Sequence, residues 1–285
     1  MTQKKIRLCI FKLFIFCIFF TGCSFVDNIS IKLGLKNTDF DYIKQGKINK
    51  IVIQSTRDRG FRFIVTDKTA VSNLYSILSS AKSVKEKSAL KPDYIFEMYE
   101  EGSKVHKFNY IAGLDKKDGG NLYNDDKTYI VSSRIDNDII KYFWNISIPK
   151  DFEKIYYKNT IIKTAEEYAK YYKMTYNKNI SSVGINLDDD VYIQKFILSS
   201  NVDNFKDNLK KEVPYVSVIE NTDNDNSDVT MTVKTQGYKL TLYKAVITFS
   251  NNKDKSEKKY YVLNESNKGI WVTTIYDEKT KPDTF

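Results

Sequence analysis

The chain has 285 residues, of which 28% are charged and 14% aromatic, and its formal net charge is +9. This length allows one large domain or two ordinary ones, and the aromatic content excludes a disordered chain. A single histidine, His106, excludes multi-histidine metal sites and pairs of imidazole catalysts.

Residues 1–22 have the three parts of a signal peptide. Basic residues at Lys4, Lys5 and Arg7 precede a run from Leu8 to Phe20 that is apolar except for Lys12, and Thr21 and Gly22 follow as small residues. As a helix that run would extend about 20 Å, short of the roughly 30 Å of a bilayer core. We therefore expect a processed leader rather than a permanent membrane span.

The sequence Phe20-Thr21-Gly22-Cys23 resembles the bacterial lipobox, in which the cysteine is acylated and becomes the first residue. The resemblance implies a diacylglyceryl and palmitate anchor on Cys23. An ordinary secretory peptide with a coincidental cysteine is the alternative. Residues 24–285 contain no cysteine, so the mature chain can have no disulfide, cysteine nucleophile or zinc–thiolate site.

The signal peptide also carries much of the positive charge. Its removal takes away four basic residues and no acidic one, which lowers the formal charge from +9 to +5. Mild basicity without a coherent basic stripe argues against nucleic-acid binding.

Residues 23–46 show no sustained period of apolar residues, and we interpret them as a tether.

The first domain is predicted over residues 47–148. A hairpin joins the strand at Ile48 to one starting at Phe61, and Asp67 then caps a helix. The inner face of that helix is formed by Val71, Leu74, Tyr75 and Leu78. After Pro92 the pattern predicts a second hairpin (94–98 and 105–111), a loop (113–126), a short strand (128–132) and a closing helix. The closing helix directs inward Ile135, Ile139, Tyr142 and Phe143.

This order of elements resembles the YhfM-like domain of Firmicutes lipoproteins. The residues that carry the likeness are 48–53, 61–67, 94–98 and 128–132. The resemblance implies a Gram-positive, clostridial source. It brings no assigned activity and no catalytic residues.

The second domain is predicted over residues 151–285. Thr164 is expected to cap a helix whose inner face holds Ala165, Tyr168 and Tyr172. A strand over 191–198 and a short helix that Pro214 ends are expected next. That helix directs inward Val202, Phe205 and Leu209.

The rest of the chain is predicted to be strand, over 229–234, 238–249, 260–263 and 270–276. We expect Ile270 and Val272 to face the core. A helix followed by long antiparallel strands and a Trp-containing final hairpin resembles NTF2-like domains. The predicted fold class is therefore α+β, with two domains that each pack helices on an antiparallel sheet, the second being an NTF2-like, cystatin-like cone.

Three motifs suggest chemical hypotheses. For each of them we expect instead a position at the protein surface without a chemical role. His106 lies in a strand without an evident orienting carboxylate or nucleophile. The acidic runs 188–190 and 223–228 suggest calcium, but Asp228 and Lys234 occupy positions that an EF-hand gives to glycine and glutamate. Glu166 and Glu167 are helix neighbours and do not face each other. We expect no metal, cofactor or catalytic group.

A ligand pocket in the second domain is a further hypothesis. Tyr168, Tyr172 and Trp271 would line an NTF2-like cone that could hold a sugar or a peptide. The alternative is that the 21 tyrosines reflect only an AT-rich genome.

The sequence thus predicts a lipid-anchored protein on the outer face of the cytoplasmic membrane, acting as a binding or scaffolding module without enzymatic activity. Its expected partners are the membrane, through Cys23, and a cell-wall polymer or another envelope protein. The alternative is a cell-wall-directed enzyme, or a subunit accessory to one, with its site in the second domain.

Overall fold

A computed structural model describes residues 30–31, 33–102, 104–114, 119–140, 148–220, 226–283 and 285. They form two β-sheets, each with its own cluster of buried apolar side chains. The α+β class is confirmed. The two clusters separate along the chain between Ile140 and Phe152.

The first domain is a seven-stranded sheet in the order β2-β1-β4-β5-β6-β7-β3, and each pair of neighbouring strands is antiparallel. Two α-helices accompany it, α1 (Asp41–Lys44) and α2 (Lys68–Ser79). The strands are β1 (Ile48–Ser55), β2 (Arg62–Val65), β3 (Lys82–Val84), β4 (Tyr94–Glu100), β5 (Val105–Tyr110), β6 (Leu122–Tyr123) and β7 (Thr128–Ile130).

The predicted first hairpin and the helix after it are confirmed. In the hairpin, Ile51 lies opposite Val65 and Ile53 opposite Phe63. The carboxylate of Asp67 accepts a hydrogen bond from the Ala70 amide at 2.8 Å and so caps α2. Leu74 and Leu78 are buried beneath the sheet, as the helical period predicts.

The predicted closing helix is present in part. Residues Ile135–Ile140 form a π-helical turn that buries Ile135 and Ile139. The predicted inward residues Tyr142 and Phe143 lie outside the described part of the chain. Strands β3 and β6 were not predicted, because two or three residues are too few to show a period.

The second sheet has six strands in the order β13-β12-β11-β10-β8-β9. They are β8 (Val183–Ile185), β9 (Val216–Val218), β10 (Val229–Lys239), β11 (Leu242–Asn251), β12 (Glu257–Asn267) and β13 (Ile270–Tyr276). The expectation of a purely antiparallel sheet is wrong, because β8 pairs in parallel with both β9 and β10. Helix α4 (Ser199–Glu212) lies in the connection between the parallel strands β8 and β9.

The predicted cap of the second-domain helix is wrong. The chain is already helical before Thr164: a π-helical segment (Lys154–Ile162) leads directly into α3 (Lys163–Tyr176). The Thr164 hydroxyl donates to the Thr160 carbonyl at 2.6 Å. A threonine inside a helix can satisfy its hydroxyl in this way, so its presence does not mark a helix start.

The predicted strand over 191–198 is also wrong, because residues Val191–Phe196 form a 3-10 helix. Ile193 and Phe196 are buried whereas Val191 and Tyr192 are exposed. The buried apolar residues of this segment are thus three positions apart, as in a 3-10 helix, and not two apart as in a strand.

Strand β13 is present as predicted, but the face that packs against the core is opposite to the predicted face. Ile275 lies opposite Val262, which belongs to the core face of β12. Alternation then directs Trp271 inward, and both it and Ile275 pack against the second core. Ile270 and Val272 are exposed. The turn before β11 also differs from prediction, because it lies at residues 240–241.

A substitution in the first core tests this arrangement. Leu74→Ala removes a fully buried side chain of α2 and should lower the free energy of unfolding by about 2–5 kcal/mol. Ile64→Ala is the matched control, because Ile64 is 60% exposed on β2 and its truncation should change stability by less than about 0.5 kcal/mol. Chemical denaturation measures both. Equal effects of the two substitutions would contradict the assignment of this core.

Candidate functional site

The two domains meet at a buried aspartate. Asp93, just before β4, is only 2% exposed. One carboxylate oxygen accepts a hydrogen bond from the Ala112 amide of its own domain at 2.9 Å, and the other accepts from the Ser199 amide of the second domain at 2.7 Å. Since Ser199 is the first residue of α4, the negative charge lies at the positive end of that helix dipole.

Burial dominates the electrostatics of this carboxylate. It raises the pKa of Asp93 to about 6, although the two backbone donors and the nearby charge of Arg57 each act to lower it. A second hydrogen bond joins the two domains at the same place, where the Ser200 hydroxyl donates to the Ala112 carbonyl at 3.1 Å. The two domains therefore share several hydrogen bonds around Asp93.

Arg57 reaches this junction from the turn between β1 and β2. Its Nη2 donates to the Ser199 hydroxyl at 3.1 Å, and its Nη1 lies 3.6 Å from the Asp188 carboxylate. The Nε atom is buried and has no hydrogen-bond partner among the described residues. The Arg57 side chain is 20% exposed, whereas that of Asp188 is 65% exposed.

Two cavities flank Arg57. One has a volume of about 240 Å³ and is lined by residues of both domains. The other measures about 520 Å³, and its walls again combine both domains. Arg57, Lys91 and Asp188 line both cavities. Arg57 thus presents a positive charge at the wall of an interdomain cleft.

The Asp188 side of the cleft is fixed by a second buried carboxylate. Asp190 accepts hydrogen bonds from the Thr235 amide at 3.0 Å and from the Thr235 hydroxyl at 2.7 Å. That hydroxyl also lies 2.7 Å from the Tyr243 hydroxyl. Burial raises the pKa of Asp190. This network attaches the segment that carries Asp188 to the sheet of the second domain.

Tyr157 adds an unpaired hydroxyl near the junction. Its ring stacks on Phe205 of α4 with 4.6 Å between centroids. The hydroxyl is buried without a hydrogen-bond partner in the described part of the chain. Burial raises its pKa, and the charge of Arg57 opposes that rise.

Comparison with known proteins identifies one part of the chain. A model of the YhfM protein family matches residues 44–149. The N-terminal domain is YhfM-like. No curated protein and no solved structure matches the chain. The interdomain cleft therefore lies between a YhfM-like domain and a second domain for which these comparisons give no relative.

The tyrosines predicted to line a pocket lie elsewhere. Tyr168 and Tyr172 are buried in the second core, where Tyr168 stacks on Phe249 at 4.0 Å. Trp271 is partly buried against the same core. None of the three lines either cavity at Arg57.

The other candidates from the sequence are dispersed. His106 Nε2 lies 2.7 Å from the Glu100 carboxylate, and its ring stacks on Tyr42 at 3.8 Å. Glu167 binds Lys170, and Asp228 pairs with Lys253. Within the described ranges, no three histidine, cysteine or carboxylate side chains are placed to hold a metal.

The leader and the acylation site are outside the described residues, as are positions 223 and 225 of the acidic run. Over the part of the chain that the structure covers, no helix has both the length and the apolar content of a membrane span.

Sequence reasoning missed the junction. Asp93 and Arg57 appear in the sequence only as the start of a strand and as part of a turn. Their partner Ser199 is separated from them by 106 and 142 residues, respectively. An aspartate beside a proline at the start of an apolar strand was the only local signal.

The pH dependence of stability tests the state of Asp93. Its folded pKa of about 6 exceeds the value of about 3.9 for an unfolded aspartate. The stabilisation that this shift contributes is therefore complete below about pH 4 and is lost as the pH rises through 6. The difference in unfolding free energy between the natural chain and Asp93→Asn should fall by on the order of 3 kcal/mol between pH 4 and pH 7.

Asp203→Asn is the matched control for this measurement, since it removes an exposed aspartate from the same helix α4. The pH dependence measured for Asp203→Asn is subtracted from that of Asp93→Asn. If the remaining difference for Asp93→Asn were constant over this range, the assigned state of the buried carboxylate would be wrong.

Proposed function

We propose that this protein is a non-enzymatic binding module held by a lipid on the outer face of the cytoplasmic membrane of a Gram-positive bacterium. Its binding site is the interdomain cleft at Arg57. The ligand is a cell-wall polymer or an envelope protein that presents a carboxylate or phosphate group to that arginine.

The proposal depends mainly on the incomplete ion pairing of the Arg57 guanidinium. Its distance of 3.6 Å from Asp188 exceeds the 2.7–2.9 Å of a strong charge-assisted hydrogen bond. Asp188 is largely exposed, so an anionic group from outside can take its place beside the guanidinium. The planar guanidinium suits carboxylate and phosphate groups, which it can bind through two parallel hydrogen bonds.

The arrangement of the other acidic groups supports binding rather than hydrolysis. The oxygens of Asp93 and Asp190 are occupied by backbone or hydroxyl donors. A glycosidase needs two carboxylates facing the same bond, one of which gives or takes a proton. At this cleft the buried carboxylates serve instead to fix the two walls.

A binding experiment tests the site. Purified Gram-positive cell walls are sedimented with the detergent-solubilised full chain, and the bound fraction is measured over a range of concentrations. Arg57→Gln should weaken binding at least tenfold, because it removes the charge at the cleft. Arg59→Gln, an exposed arginine in the same turn, is the matched control and should bind like the natural chain.

Asp188→Asn separates loss of the site from loss of stability. It removes the competing carboxylate and should strengthen binding, an effect that a merely destabilising change would not produce. Equal binding by all the variants would contradict the cleft as the site. Release of soluble wall fragments during the incubation would instead favour the alternative of a cell-wall-directed enzyme.

The anchor has a separate test. Cys23→Ala should abolish incorporation of radiolabelled palmitate and shift the protein out of the mature membrane-bound form, because multiple acyl chains are needed for stable attachment. Cys17→Ala, within the segment to be removed, is the control and should leave labelling and fractionation unchanged. Persistent labelling of the Cys23→Ala protein would refute acylation at that residue.

A further inference from the structure

Strand β13 ends the second sheet, and its outer edge has no neighbouring strand in the described part of the chain. Ile270 is 71% exposed and Val272 is 57% exposed on the sheet face that points away from the core. A free edge offers a row of unpaired backbone amides and carbonyls to any other strand.

This edge lacks the features that usually block strand addition. Its seven residues, Ile-Trp-Val-Thr-Thr-Ile-Tyr, include no charge, proline or glycine. The edges formed by β2, β3 and β9 are only three or four residues long, and β2 and β3 begin with Arg62 and Lys82. Short or charged edges resist pairing, whereas a long apolar one favours it.

The C-terminal segment leaves the edge uncovered. After β13 the chain turns back, and the ring of Phe285 packs edge-on against Tyr261 of β12 with 5.3 Å between centroids. Lys244 of β11 lies 5.5 Å from the ring of Phe285. The end of the chain therefore lies over the outer face of β11 and β12 rather than beside β13.

We propose that the edge of β13 is covered by β13 of a second copy of this chain, in antiparallel pairing about a two-fold axis at Thr273. This register sets Ile270 opposite Tyr276 of the second copy and Val272 opposite its Thr274. Each pair joins residues of the same sheet face, as an antiparallel ladder requires. The axis is perpendicular to the sheet and keeps the helices of both copies on one side.

Charge complementarity supports the same register. Lys268 and Glu278 are exposed just beyond the two ends of β13, and neither forms an ion pair with another of the described residues. Pairing about Thr273 brings Lys268 of one copy toward Glu278 of the other, and the two-fold axis repeats this contact. Opposite charges at both ends favour the antiparallel orientation.

Cross-linking tests the register directly. Thr273→Cys is introduced into the full chain, and membranes are oxidised and analysed without reductant. Directly opposed residues of an antiparallel pair have Cα atoms about 4.5–5.5 Å apart, within the usual range for a disulfide. The variant should therefore form a homodimer, at least tenfold more than the natural chain.

Thr274→Cys is the register control. In the proposed pairing its two copies are offset along the strands and lie too far apart for a disulfide, so it should cross-link at least fivefold less than Thr273→Cys. Equal cross-linking of the two variants would overturn the register. Cross-linking of Thr273→Cys to a different protein, without a homodimer, would overturn the second copy as the occupant.

The oligomeric state provides an independent measurement. Val272→Lys places a charge on the exposed face of the edge strand and should raise the dimer dissociation constant of the detergent-solubilised full chain at least tenfold in analytical ultracentrifugation. Met174→Lys, at a 79% exposed position of α3, is the matched control and should leave it unchanged. A monomeric natural chain at all concentrations would overturn the proposal.

Discussion

The carboxylate of Asp93 is the interaction on which the organisation of this molecule depends. It accepts one hydrogen bond from each domain, through Ala112 and Ser199. Removing a carboxylate from water is costly unless charge or hydrogen bonds replace its hydration. Here two backbone donors and the end of a helix dipole replace part of that hydration, and they can do so together only when the two domains are in contact.

The cleft follows from that contact. Because Ser199 is held against Asp93, its hydroxyl is in position to accept a hydrogen bond from Arg57, and the guanidinium then lies between two cavities. Asp188 approaches from the second domain through a segment that Asp190 fixes to the sheet. A charged group with a weakly bound, exposed partner is a physical basis for recognising an anionic ligand, and it is why we propose binding at this place.

Local elements could be predicted where the residue pattern is compatible with only one local structure. The period-two hairpin of β1 and β2, the Asp67 cap and the apolar stripe of α2 depend on neighbours within a few residues. Prediction was wrong where two local structures fit the same residues and contacts with distant residues determined which one forms. Thr164 can cap a helix or bond within one, and either face of β13 is apolar enough to turn inward, so the register with β12 decided.

The residue pattern was enough to predict an α+β fold and a YhfM-like segment, which the family match places at residues 44–149, and the sequence shows no cysteine over residues 24–285. The interdomain site, in contrast, could be found only in the folded protein. Asp93, Arg57 and Ser199 lie in different elements, and each residue alone has an ordinary local role. Their shared chemistry arises because folding buries a charge beside donors more than a hundred residues away, a relation that no local period records.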